Sequence, residues 1–243
     1  MKAAAAKKKL NGLASPEMAA SAARYFKTWP GQYGEGDIFI GVRILALGKL
    51  AREFRDLPLT DIGILLHSPI HEERMLALLI LVLSVSKCDD SQRKTVYDFY
   101  SSNSHQVNNW DLVDSSAPAI VGGYLKDKSR QPLVRLAKSA SLWERRIAIV
   151  ATQHFIRLDD FDDTITISRL LLSDKEDLIH KATGWMLREV GDRDEAALEA
   201  FLKDHAAVMP RTMLRYAIEH FPPEKRRCLL AAKLTGKHSG RES

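Results

Sequence analysis

The sequence predicts an all-α fold, arranged as a right-handed-type superhelical solenoid of helical pairs. Three observations predict it. Apolar residues recur at helical spacing along almost the whole chain, without convincing strand-type alternation. The breaks between periodic segments are short and carry Gly, Pro, Asp or Ser. The helical segments also repeat. ERMLALLI (73–80), NWDLVDSS (109–116), ERRIAIVA (144–151) and HKATGWML (180–187) align so that Leu78, Asp114, Ile149 and Trp185 fall 36, 35 and 36 residues apart. RTMLRYAI (211–218) follows at a slightly shorter interval. A constant period with one helix pair per repeat marks a HEAT/ARM-like stack, although the spacing lies a little below the roughly 40–47 residues of those repeats. Equivalent positions in stacked repeats share one surface, which would put Asp114 and Trp185 on the same face.

The elements follow in order. Residues 1–14, with the basic run KAAAAKKK, read as a basic N-terminal tail that touches DNA or is merely solvated. Ser15-Pro16-Glu17 starts a helix, Ser as N-cap and Pro at the first helical position, running to about Trp29. PGQYGEG (30–36) breaks it. A helix over about 42–54 ends at Pro58, and Thr60-Asp61 opens a short one that stops before Pro69. Strongly apolar 72–86 and then 90–100 are helical. Beyond 108–114, helices are expected near 130–139, 142–157, 162–172, 176–190, 194–205, 211–220 and 224–234. No linker divides this run, so 15–236 reads as a single helical-repeat domain followed by a C-terminal tail, 237–243.

Composition bounds the class. With 45% apolar and 28% charged residues, the 243-residue chain is globular and long enough for a sizeable core. A net charge of +5 fits a polyanionic partner without requiring one. Cys88 and Cys228 have no redox or metal spacing, so a reduced cytoplasmic setting is expected. The run MLALLILVLSV (75–85) is too short to cross a bilayer, and no signal peptide is evident. Pro69 separates His67 from His71, so no metal is expected there. GQYGEG, around Tyr33, lacks the order and the preceding strand of a phosphate-binding loop. No metal, cofactor or membrane is therefore expected, and the protein should be a monomer.

The chemistry-bearing stretch is NNWDLVD (108–114). Trp110 and Asp114, four apart, share a helix face and would suit a cationic or sugar-like group. The plainer readings are a core indole and a solvated or capping acid. Asp111, one turn before Asp114, opens a further possibility, a pair of acid–base carboxylates, although DxxD is common on exposed helices. In WERR (143–146) the arginines either ring a core helix or, for Arg146, orient a carboxylate by a bidentate pair. In IHKATGWMLRE (179–189), Trp185 and Arg188 could hold a sugar and its phosphate. Alternatively, Trp185 packs on Gly184 while Arg188 pairs with Glu189 or Asp192. Arg211, Arg215 and Lys225-Arg226-Arg227 are each a solvated cation, or together a phosphate track.

NNWDLVDSSAP (108–118), WERRIAIV (143–150), IHKATGWMLRE (179–189) and PRTMLRYAIEH (210–220) together resemble the AlkD family of DNA alkylation-repair glycosylases, in order and over roughly residues 20–225. The resemblance implies a HEAT-like solenoid holding duplex DNA on a basic face. It implies excision of purines alkylated at N3 or N7, without a base-swallowing pocket. By position it implies Asp114 as the catalytic carboxylate, with Trp110, Arg146 and Trp185 around it and Arg188 near the DNA backbone. Arg145, Arg211, Arg215 and Tyr33 complete the candidate DNA-binding set. One departure is GVRILALGKLAREF (41–54), which lacks the family's usual proline and further polar or basic residues, so whether that helix contacts DNA stays open. Two other classes stay open: a non-catalytic DNA-binding repeat protein for distorted or branched DNA, and a protein-interaction scaffold.

Overall fold

The computed structural model describes residues 2–231, and among them no strand occurs. Among the described residues the only sheet-like pairing is an isolated bridge between Ile38 and Ile70. The all-α expectation holds. The chain divides into two compact units, Met1–Tyr124 and Leu125–Ser243.

In the first unit, α1 (Ala3–Asn11) corrects the reading of residues 1–14 as a tail. Ala3, Ala6 and Leu10 form a buried stripe at helical spacing, which an alanine-rich run offers at little entropic cost. The Ala3 N–H donates to Asp61 at 2.7 Å, and Lys7 pairs with Glu73 at 2.7 Å. Helix α2 (Pro16–Tyr25) has the expected Ser15 cap but stops four residues short of Trp29. Lys27 takes a left-handed φ of 53°, and the Gly34 N–H returns to the Lys27 carbonyl at 3.1 Å.

Helices α3 (Ile44–Glu53), α4 (Leu59–Leu66), α5 (His71–Val85) and α6 (Asp90–Ser102) follow. The apolar α5 is the centre of this unit, packing against α3, α4 and α7 (Trp110–Ala117). A π-helical turn, Pro118–Gly122, continues α7 before the single turn α8 (Gly123–Leu125). Pro118 has no N–H to give the Asp114 carbonyl, so the regular α pattern cannot persist there.

The second unit contains α9 (Gln131–Ala137), α10 (Leu142–Ala151), α11 (Gln153–Ile156), α12 (Asp162–Leu170) and α13 (Asp177–Arg193). Then come α14 (Glu195–His205), α15 (Arg211–Ala217) and α16 (Pro223–Ala231). The single helix expected over 142–157 is broken at Thr152, whose hydroxyl donates back to the Ile149 carbonyl at 2.6 Å. The expected end of the last helix at 234 and the tail 237–243 lie outside the described residues.

The repeat register has a packing counterpart within each unit. Helix α5 lies on α7, and α10 lies on α13, which lies on α15. Of the aligned positions, Leu78 and Ile149 are fully buried, whereas Asp114 and Trp185 are only partly covered. No helix among the described residues is long and apolar enough to cross a membrane.

Candidate active site

Helix α7 begins at Trp110, and Asp114 follows one turn later on the same side, both partly exposed. The start is set by Asn109, fully buried, whose Oδ1 accepts from the Trp110 N–H at 2.8 Å and whose Nδ2 donates to Asp37 at 3.0 Å. The indole is not a lone platform. It stacks on Phe26 (5.1 Å between centroids, 18° between planes) and meets Tyr25 edge-on at 5.9 Å. Phe26 stacks on Phe39 at 4.9 Å, and Phe39 on His71 at 4.4 Å. A column of four rings thus runs from the head of α5 to the head of α7. On the other side of α7, burial first, and then the charge of Asp114, raises the buried Tyr100 phenol well above its usual range.

Beneath the rings lies a buried ionic network. The His71 ring meets Asp37 through Nδ1 at 3.1 Å and Asp111 through Nε2 at 2.8 Å. Arg74 pairs with the other Asp37 oxygen and donates to the Ser68 carbonyl at 3.0 Å. Glu72 accepts the N–H groups of Ile40, Gly41 and Val42 at 2.7–3.2 Å. Burial raises the Asp37 carboxyl, but His71, Arg74 and Asn109 together bring it below its ordinary value. Burial likewise lowers the His71 imidazole, and the hydrogen bonds to Asp111 and Asp37 more than restore it, to above its ordinary value. The possible acid–base pairing of Asp111 with Asp114 gives way to this arrangement. One Asp111 oxygen faces His71 and the other caps the Leu112 N–H at 2.9 Å.

In the second unit, Arg146 is buried on α10, with Nη1 donating to the Leu178 carbonyl at 2.6 Å. Its neighbour Arg145 is held by Asp174 (2.6 Å) and by the carbonyls of Ser139 and Ala140 (3.0 and 2.9 Å). Arg145 thus ties α10 to the segment before α13. Trp185 on α13 is partly exposed, its indole N–H donating to Glu189 at 2.9 Å. Arg188 pairs with Glu219, and Lys225 with Glu195 and Glu199. Arg211 and Arg215 are exposed on α15. In the first unit, Tyr33 donates to the Tyr25 carbonyl at 3.4 Å, with Lys27 Nζ 5.8 Å from its ring. Of the expected basic track, Lys225 is thus engaged in ion pairs, whereas Arg211 and Arg215 lie exposed.

A family model described as DNA alkylation repair enzyme matches residues 6–221. The chain belongs to this family. Membership makes it a relative of DNA repair enzymes and implies DNA as its substrate. Among solved structures, one described as a predicted DNA alkylation repair enzyme from Enterococcus faecalis is similar at 17% identity and a TM-score of 0.68. The match covers 86% of this chain and 97% of that one, and at such identity it speaks for the fold. No curated protein matches.

Reading this repair-family chain as a sequence misses Asp37, Asn109, His71 and Arg74. A signal was available in HEER (71–74), four ionisable residues heading the long apolar helix α5. Such groups cannot be buried singly, so their burial on α5 requires partners elsewhere in the chain.

Proposed function

We propose that this protein is a monofunctional DNA glycosylase that hydrolyses the N-glycosidic bond of cationic N3- or N7-alkylated purines in duplex DNA. The observation that carries this is Trp110 and Asp114 on one side of the first turns of α7, in a chain of the alkylation repair family. The alkylated base is already cationic. When its bond to C1′ breaks, the electron pair leaves with the base, which departs neutral, and positive charge builds on the sugar. A fixed carboxylate at that point stabilises the oxocarbenium-like sugar and can take a proton from the water that attacks C1′. The base needs no general acid. Trp110 and Trp185 would contribute π faces toward the cationic base, about 0.5–2 kcal/mol each. Arg146 would be the active-site arginine, since Arg145 is committed to Asp174. Work in the cytoplasm, on the nucleoid, fits this role.

Release of methylated purines from alkylated duplex DNA tests the reading. Asp114→Asn is expected to lower the single-turnover rate by about 10²–10³, the loss typical when one preorganised electrostatic group is removed. Equal rates for the two proteins would remove Asp114 from the chemistry. Salt-dependent DNA binding with no base release would favour the non-catalytic DNA-binding reading instead.

A further inference from the structure

The ionic network on α5 is more than the burial of a polar patch. We propose that His71 is a positioning residue: by bridging Asp37 and Asp111 it locks the first turn of α7, and with it Trp110 and Asp114, onto the head of α5. The inference rests on the glycosylase reading for its catalytic consequence, but the lock itself stands on geometry.

Two independent routes lead from this ring to α7. The polar route is Nε2 to Asp111 at 2.8 Å, where Asp111 is the residue after Trp110. The aromatic route is the face of the ring, stacked on Phe39, then Phe26, then Trp110. On the far side, Nδ1 is fixed by Asp37, which Arg74 and Asn109 also hold. Asn109 is the residue before Trp110, so Asp37 grips α7 as well. The side chains of His71 and Asp37 are 3% and 4% exposed, which leaves little room for water to replace either bond.

Ionised carboxylates only accept, so bonding to both requires a proton on each ring nitrogen, and the bridge is an imidazolium. The charged set balances: Asp37 and Asp111 against His71 and Arg74. Glu72, next on α5, is satisfied by its three backbone N–H groups and does not need the ring. Helices α2 and α3 present only Met18, Ala22, Ile44 and Leu47 to the cavity of about 160 Å³ beside His71 and Asp111. Loss of the proton would therefore leave two carboxylates facing one donor, and the hydrogen-bonded bridge from Asp37 through His71 to Asp111 would be broken at one end. Misplacement of a catalytic group by about 1 Å can cost on the order of a hundredfold in rate.

The test compares wild type, Asp111→Asn and His71→Gln. NMR follows the His71 ring and the Trp110 indole as pH rises, and single-turnover base release from methylated duplex DNA is measured over the same range. In wild type, His71 is expected to titrate above the ordinary imidazole range, and the Trp110 indole signal should move with it. Asp111→Asn should slow base release about a hundredfold with DNA affinity within about twofold, and should shift the alkaline loss of rate to lower pH. A His71 ring that titrates in the ordinary range, or a Trp110 signal indifferent to it, overturns the lock. So does an Asp111→Asn protein with the wild-type rate and pH profile. If wild type releases no base, the glycosylase reading fails, while the NMR titration still decides the lock. His71→Gln serves to assign the ring signal and should abolish the coupled movement of Trp110.

Discussion

Helices α7 and α13 carry equivalent aromatic–polar faces, but the two are held in place by different forces. At α7 the anchor is charge: a buried set of Asp37, His71, Arg74 and Asp111, under a column of stacked rings. At α13 it is shape. Gly184 sits so close to α15 that an added Cβ would lie 2.4 Å from the Met213 carbonyl oxygen, and Met186, Leu187 and Val190 are fully buried. The polar pairs around Trp185 and Arg188 are partly solvated. Apolar packing holds a helix whatever the pH. An ionic anchor fixes direction more sharply but ties the geometry to protonation.

Breaking each anchor separates the two cases. Arg74→Ala leaves Asp37 buried with half its counter-charge, and the expected loss is about 3–5 kcal/mol in denaturant unfolding. A loss under about 1 kcal/mol would mean that charge does not hold this helix. Gly184→Ala must push α15 away and should cost about 1–3 kcal/mol, by the same measurement and equally at neutral and alkaline pH. A pH-dependent cost would blur the contrast.

The pH dependence of stability comes next. His71 has a raised folded-state value, so its contribution is complete below the ordinary imidazole value of 6.5 and is lost as pH rises through the raised value. Asp37 has a lowered value, so its contribution is present above the ordinary 3.8 and is lost as pH falls through the lowered value. Wild-type stability should therefore decline on the alkaline side, and His71→Gln should flatten that decline. The smallest effect is expected from Arg188→Ala, whose partner Glu219 is half exposed: about 0–1 kcal/mol in stability. If Arg188 also meets the DNA backbone, the variant should reduce the salt slope of DNA binding by about 1.

Much of the fold was legible in the chain. The starts of α2, α5, α10 and α15 fall within two residues of expectation, because capping residues, prolines and apolar periodicity act locally. The failures are those of range and close approach. α2 ends early because residues 27–36 fold back on it, and α1 is a docked helix because Asp61 and Glu73 supply distant partners. Of the site, the side shared by Trp110 and Asp114 could be read from a spacing of four. The engagement of Arg145 could not, since its partner Asp174 lies 29 residues away.

The sequence by itself determined an all-α chain, a mid-thirties repeat and the carboxylate and indole of α7, because all three are written in local periodicity. Only the tertiary structure decided how α7 is held. Asp37, His71 and Asp111 are 34 and 40 residues apart along the chain, and no local pattern links them. They become partners because three ionisable groups cannot enter an apolar interior except together.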